Sequence, residues 1–368
     1  MNAPHSEPFL TLQELVAAAR ANLAPGPWSY LIGGAETETT VRRNRLALDS
    51  IAFRPRVLRD VRRVDVSSVF FRRKIRIPVM LAPIGGLESI VEGGAAAAAR
   101  GAAQFGVPQM LSSVCQPGLE ATAAAAKTTR VFQLYVRGDD AWTDDYVKRA
   151  RDHGYSAFCF TVDVASYSRR ERDLLGRFIK PWRATADEGR GFQAGLSWDQ
   201  VKRYKDRYAD FPLIIKGIAT VEDAELCVQH GVDVIYVSNH GGRQLDHGLG
   251  SVAVLPEIIK SVAGRAEVWV DGGFMRGADI VKAIALGAKT VGIGRLAGLA
   301  LGAAGSAGLV RTLELLEEEA RICLTLLGVT SFAELTPQHV VAAPPVGEHH
   351  VFSAFPLLGD SPRDDPAT

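Results

Sequence analysis

The chain is poor in cysteine. Four occur in 368 residues, Cys115, Cys159, Cys227 and Cys323, far apart and with no paired spacing. That argues against a disulfide framework and a zinc site, and it fits a reducing, cytoplasmic setting. Net charge is also scarce. The 42 Lys and Arg against 41 Asp and Glu leave +1, which gives no electrostatic reason to expect nucleic acid. No apolar run is long enough to imply membrane insertion. The longest, Leu296 to Val310, is rich in Gly and Ala and falls short of a spanning helix, and Met1 to Pro8 is polar without a signal core. A dinucleotide fingerprint is missing too. The first strand-like run leads into Ala82-Pro83-Ile84-Gly85-Gly86, with no G-x-G-x-x-G.

What is present is regular. With 47% hydrophobic and 23% charged residues, the composition is that of a soluble globular protein, read as a single domain over 1–368. From residue 78 short apolar runs alternate with Ala-rich helical segments. Strands are expected at 78–82, 107–111, 130–135, 157–163, 212–216, 232–238, 267–271 and 289–293. Helices are expected between them at 91–104, 118–126, 140–152, 197–208, 221–230, 251–263 and 277–286, with a last one at 306–327. Eight such units over roughly 250 residues predict an α/β protein, a (β/α)8 TIM barrel over about 78–330. Residues 9–77 form an N-terminal helical extension opened by a capping box at Thr11-Leu12-Gln13-Glu14, with 51–77 irregular or antiparallel outside the main core. A long loop after strand 4, about 164–196, has no clear period, as a lid or binding loop would. The tail from Pro337 to 368 is expected outside the barrel or loose.

In a barrel, chemistry gathers at the C-terminal ends of the strands. Polar groups close nearly every strand there: Ser112, Gln133 with Tyr135, Thr161 with Asp163, Lys216, Ser238 to Asp246, Asp271, and Arg295. Taken singly, each has a structural reading as a helix cap, a satisfied core amide or a snorkelling charge. Together at one rim they read as a site. His240 and Arg243, three residues apart on a glycine turn, offer a base near neutral pH and a fork for a carboxylate. The glycine turns Asp271-Gly272-Gly273 and Gly292-Ile293-Gly294-Arg295 offer backbone N–H groups and a helix N-terminus for a phosphate. Lys216 on the inner rim needs a partner, either an electron-rich cofactor edge or a Schiff-base substrate.

Ser238-Asn239-His240-Gly241-Gly242-Arg243-Gln244-Leu245-Asp246 resembles the signature of the FMN-dependent α-hydroxy-acid oxidases and dehydrogenases. Gly33-Gly34-Ala35-Glu36, Phe53-Arg54-Pro55-Arg56, Gln133-Leu134-Tyr135, Thr161-Val162-Asp163, Arg169-Arg170, Lys216-Gly217, Asp271-Gly272-Gly273 and Gly294-Arg295 support it in order. The resemblance runs from about Tyr30 to about residue 335. It implies FMN across the barrel mouth, held by Ser112, Gln133, Thr161, Lys216, Ser238, the backbone of Ala82, Pro83, Ile84 and Gly85, and a phosphate site at Asp271, Gly272, Gly273, Gly294 and Arg295. It implies His240 as the base, Asp163 stabilising its imidazolium, Lys216 stabilising the reduced flavin, Arg170 and Arg243 on the substrate carboxylate, and Tyr30 and Tyr135 contacting the substrate. The implied reaction takes an (S)-2-hydroxy acid to the 2-oxo acid, with O2 or a quinone-like acceptor taking the electrons, in a homo-oligomer. A barrel flavoenzyme of another reaction class, such as an FMN-dependent isomerase, and a non-catalytic FMN-binding protein are the alternatives.

Departures from the family pattern matter. The arginine usual in the phosphate strand is replaced by Met275, with Arg276 one place later, so either Arg276 reaches in or Arg295 and backbone N–H groups carry the phosphate. Gly85 stands where many members have alanine, Val114 where members oxidising glycolate have tryptophan, and Tyr167 where small aliphatics are common. These three predict a pocket for a side chain larger than that of glycolate, such as a mandelate-like or longer aliphatic one.

Overall fold

The computed structural model describes residues 9–181 and 189–359. Eight parallel strands close a barrel: β1 (Val79–Leu81), β2 (Gln109–Ser112), β3 (Arg130–Leu134), β4 (Ala157–Thr161), β5 (Leu213–Ile218), β6 (Val234–Val237), β7 (Glu267–Val270) and β8 (Thr290–Ile293). They neighbour one another in chain order, and β8 returns to β1. All eight fall within or beside the runs expected from the sequence, because a strand buried on both faces is apolar at every position.

Helices cover the outside, and side-chain caps set several of their starts. Asp139 accepts from the Trp142 amide, Thr220 from Asp223, and Ser197 from Asp199 within a capping box completed by Gln200. At Thr11 the box is shifted. The Thr11 hydroxyl accepts from the Glu14 amide, but the Glu14 carboxylate accepts from the Leu10 amide. Arg295–Leu327 is two helices that meet at a kink with non-helical backbone at Ala304 and Gly305; the second coincides with the stretch expected at 306–327, and the first is additional. The whole span is long and apolar enough to cross a membrane by composition, yet most of its apolar stretch is buried inside the protein, where it packs on the helices Leu12–Asn22 and Gly94–Phe105.

One expectation is corrected. The segment 51–77 was expected outside the main core, yet its hairpin, Ser68–Phe70 with Arg73–Ile75, plugs the N-terminal end of the barrel. Phe70 and Ile75 join the interior cluster with Met80, Met110, Cys159, Tyr236 and Trp269, and the Phe70 ring lies 4.8 Å from that of Trp269. An open barrel end would leave Trp269 in water, so burial of these rings fixes the hairpin there. Ile51–Phe53 pairs antiparallel with Val340–Ala342, and Phe352 stacks on Trp28, so the described part of the tail packs on the lead-in. Residues 1–8, 182–188 and 360–368 of the expected N-terminus, long loop and tail lie outside the described residues.

Candidate active site

A cavity of about 460 Å³ opens at the C-terminal end of the barrel. It is in the size range of small-molecule sites. Each barrel strand delivers one part of it or of its support. From β1 come Ala82, Pro83, Ile84 and Gly85; from β2, Val114; from β3, Tyr135; from β5, Lys216; from β6, His240 and Arg243; from β7, Asp271, Gly272, Gly273 and Met275; from β8, Gly294 and Arg295. The lead-in helix Pro25–Ile32 adds Tyr30, and the loop after β4 adds Tyr167 and Arg170.

Asp163 stands behind the wall. Its Oδ1 lies 3.0 Å from His240 Nδ1, while Tyr135 Oη lies 3.2 Å from His240 Nε2. Burial lowers the His240 pKa, and the Asp163 charge opposes this only in part, so the ring is neutral near pH 7. Burial would raise the Asp163 pKa, but the His240 partnership outweighs it and the group is held below the usual carboxylate range. The ring then carries its proton on Nδ1 toward Asp163 and presents a lone pair on Nε2.

Lys216 approaches from β5. A register shift at Gly217, with φ +113°, brings the chain so close to Asp163 that an added Cβ would lie 2.8 Å from the Asp163 Cβ. The Lys216 ammonium donates to Ser238 Oγ at 2.8 Å and lies 3.4 Å from Asp271 Oδ2. Burial would lower the Lys216 pKa, but Asp271 and Asp163 together raise it, so the ammonium is charged. The Ser238 hydroxyl accepts from Lys216 and the His240 amide and donates to Asp271, at 2.5 Å. It therefore holds in place Lys216, which lines the cavity.

Three arginines gather at the mouth with no carboxylate bonded to any of them among the described residues. Arg243 Nη1 donates to the carbonyls of Tyr30 and Gly33, and its Nη2 is buried without a partner. Arg170 donates to Ser168 Oγ, the Arg243 carbonyl and Gln244 Oε1. Arg295 donates to the carbonyls of Leu31, Gly33 and Gly241. Burial is the main cause that lowers the pKa of Arg243 and of Arg295, and neighbouring arginine charge adds to it. Guanidinium stays protonated regardless, so the cluster attracts anions.

Two residues of the signature hold it in place, and neither was singled out from the sequence. Gln244 Nε2 donates to the Asp163 and Ser166 carbonyls, which ties the signature loop to the loop after β4. The Asp246 carboxylate accepts from the Thr37 hydroxyl and the Thr37, Thr39 and Thr40 amides, at the start of the helix Thr39–Asp49. Burial would raise its pKa, but these bonds hold it well below the usual range. At Gly242, φ +76°, an added Cβ would lie 2.6 Å from the Val41 amide nitrogen, so glycine lets the loop press on that helix. Gln193 was missed as well. It lies in the unperiodic loop, on the short helix Arg190–Ala194, and bridges the Val136 amide and the Thr161 carbonyl beside the cavity.

The remaining expected residues divide. Ser112, Gln133 and Thr161 end adjacent strands and are fully buried. Gln133 Oε1 and Nε2 and Thr161 Oγ1 have no hydrogen-bond partner. Orphaned buried polar atoms are costly, and three on neighbouring strand ends call for a polar ligand edge. Arg276 is a correction. Its guanidinium pairs with Glu319 at 2.5 Å and with the Ala354 carbonyl, away from the cavity. The Asp279 carboxylate accepts from the Met275 and Arg276 amides, which fixes the helix start and leaves Met275 on the cavity wall. Among the described residues no group of acidic, His or Cys side chains could hold a metal ion.

A model of the FMN-dependent dehydrogenase family matches residues 19–342. Glycolate oxidase 1 of Zea mays is 36% identical over 351 residues, which covers 90% of this chain and 95% of that protein. The glycolate oxidase of Spinacia oleracea is 35% identical over 352 residues, again 90% and 95%. Among solved structures, mandelate oxidase with benzoyl-formic acid superposes with a TM-score of 0.85 at 37% identity, covering 92% of this chain and all of that one. A mandelate oxidase mutant with the C4a-OH-FMN adduct gives a TM-score of 0.82 at 37% identity, covering 91% and 100%.

Proposed function

The chain belongs to the FMN-dependent dehydrogenase family, and from that premise we propose that it oxidises an (S)-2-hydroxy acid to the 2-oxo acid. The observation that carries the reading is that His240 lines the same cavity as Arg170 and Arg243. A base and an anion clamp share one space, beside strand ends whose polar atoms lack partners.

The residues present fit FMN. Gln133, Thr161, Ser112 and Lys216 would hold its ring, and the amides of Gly272, Gly273 and Gly294 with Arg295 would hold its phosphate. Bound FMN supplies the two-electron sink that no side chain provides. The protein's own part is orientation and proton transfer. Arg170 and Arg243 grip the carboxylate, each charge-assisted bond contributing about 1.5–3 kcal/mol. Gripped there, the substrate's Cα carbon and hydroxyl lie toward His240. Neutral His240 takes the substrate proton at Nε2, and Asp163 stabilises the imidazolium. Tyr135, on the same nitrogen, would donate to the substrate oxygen.

We further propose a substrate larger than glycolate. Gly85, Val114 and Tyr167 line the cavity, and the first two leave room that a larger side chain would fill. Oxygen or a quinone-like acceptor would take the electrons. The free cysteines are compatible with a cytoplasmic setting, and a homo-oligomer is the assembly we expect. The test is anaerobic mixing of the yellow holoenzyme with glycolate, lactate, mandelate and longer 2-hydroxy acids, each followed by air. Bleaching of the visible flavin absorbance by the larger acids is expected. A protein that takes up no FMN, or flavin that no 2-hydroxy acid bleaches, would sink the reading.

A further inference from the structure

The loop after β4 places a buried ion pair directly behind the anion clamp. Lys180 and Asp173 bond to each other, and their side chains are 2% and 7% exposed. The Lys180 ammonium lies 5.2 Å from the centroid of the Tyr30 ring and 5.4 Å from that of Tyr167. Those two rings also carry the clamp: Arg243 lies 4.5 Å over Tyr30 and Arg170 lies 4.5 Å over Tyr167. Each ring is thus shared between one arginine that faces the cavity and one lysine that does not line it. Asp173 is close enough to act electrostatically on Tyr30 and Arg243.

The segment is built to bring the pair there. The helix Glu171–Leu175 starts right after Arg170 and carries Asp173 in its first turn. The chain turns back at Phe178, whose amide donates to the Asp173 carbonyl and whose ring packs against Gly26, where no side chain would fit. Arg172 pairs with Glu38, which fastens the same turn to the lead-in. Lys180 then arrives behind Tyr30.

Buried ammonium and carboxylate groups are costly, and hydrophobic pairs of similar volume would be no less stable. A pair retained at this place has an electrostatic effect on what binds in front of it. We propose that Lys180 is a positioning residue for the substrate carboxylate: its charge cancels that of Asp173 directly behind the two rings over which Arg243 and Arg170 lie. Without Lys180, Asp173 is an uncompensated carboxylate facing the clamp through two tyrosines. It then opposes an anionic substrate and leaves a neutral one untouched. The inference rests on the reading of Arg170 and Arg243 as the carboxylate clamp.

The test compares a 2-hydroxy acid that reduces the wild-type flavin with its neutral amide, in Lys180→Met, Asp173→Asn, the double variant and Lys180→Arg holoenzymes. At pH 8.5, Lys180→Met is expected to raise the KM for the acid on the order of tenfold, with kcat changed less and the amide's KM little altered. The double variant is expected to return the acid's KM to near the wild-type value, and Lys180→Arg to keep it there. Binding of the 2-oxo acid product, read as a perturbation of the flavin spectrum, should follow the same order. Acid and amide rising together in Lys180→Met, or no recovery in the double variant, would show a purely structural role and overturn the proposal. If Lys180→Met fails to fold, the double variant decides: a tenfold loss confined to the acid there also overturns it. Failure of the clamp reading would show separately, as a wild-type enzyme that does not prefer the acid to its amide.

Discussion

Asp163 Oδ1 lies 3.0 Å from His240 Nδ1, and that bond leaves Nε2 as the nitrogen of the imidazole free to act as a base. Replacing Asp163 by Asn keeps the shape and removes the charge. The imidazolium formed during turnover loses its partner, and the tautomer with a free Nε2 is no longer enforced. A fall in the anaerobic flavin-reduction rate of roughly 10²- to 10⁴-fold is expected, by analogy with other His–Asp pairs. Stopped-flow absorbance measures it, and a rate within threefold of wild type would remove Asp163 from proton transfer.

The same pair sets a pH dependence. Burial lowers the His240 pKa below its ordinary 6.5, and Asp163 holds it up in part. The active form is the neutral base, so kcat/KM is lost as pH falls through that lowered value and is full above 6.5. In Asp163→Asn the supporting charge is gone, so the acid limb should move to still lower pH as the plateau falls. A limb that moves upward would contradict the assignment of that limb to His240.

At the phosphate end, two substitutions separate Met275 from Arg276. Arg276 is engaged with Glu319 on the outside, so Arg276→Ala should leave FMN affinity unchanged and cost at most about 1 kcal/mol of stability. Met275 is buried on the cavity wall, so Met275→Arg should tighten FMN by about tenfold if its guanidinium reaches the phosphate. The apoprotein should melt lower, because that charge is then buried without a partner. Flavin fluorescence titration and thermal melts of apo and holo forms check both. Loss of FMN from Arg276→Ala would reverse the placement.

This pair also marks how far the sequence is legible. The eight strands and the rim residues stand out because buried parallel strands and functional loops differ sharply in composition. Whether residue 275 or 276 faces the cavity depends on how the helix start is tied. Asp279 does this through hydrogen bonds that leave no periodic trace. Gln193, Asp173 and Lys180 lie in a loop without periodicity, and their partners are brought together only by the fold. Gln244 and Asp246 are visible in the signature, but what they hold, Ser166 and Thr40, is 78 and 206 residues away.

The hairpin at the other end of the barrel is hard to place from the sequence for a similar reason. Phe70 and Phe71 stand among arginines, and nothing local says that they fold into the barrel. The Phe70 side chain is almost wholly buried against Trp269, so Phe70→Ala should cost about 3–5 kcal/mol. Urea unfolding of the holoenzyme measures this. A cost under about 1 kcal/mol would mean that the plug is dispensable.

Substrate size is the last question, and Val114 answers to it. It lines the cavity from the β2 end, and its amide donates weakly to Ser112 Oγ at 3.4 Å. Tryptophan there would add an indole to a cavity of about 460 Å³ that must also take the flavin ring. If Arg170, Arg243 and His240 hold the carboxylate and hydroxyl, as proposed, the space removed is that beside the substrate side chain. Val114→Trp should therefore cut kcat/KM for mandelate or a longer 2-hydroxy acid by at least about tenfold while changing that for glycolate far less. One lost apolar contact pocket is worth about 1–3 kcal/mol of discrimination. Equal losses on large and small acids would mean that Val114 acts through the fold and that the large pocket lies elsewhere. A selective loss would assign the substrate side chain to the space between Val114, Gly85 and Tyr167.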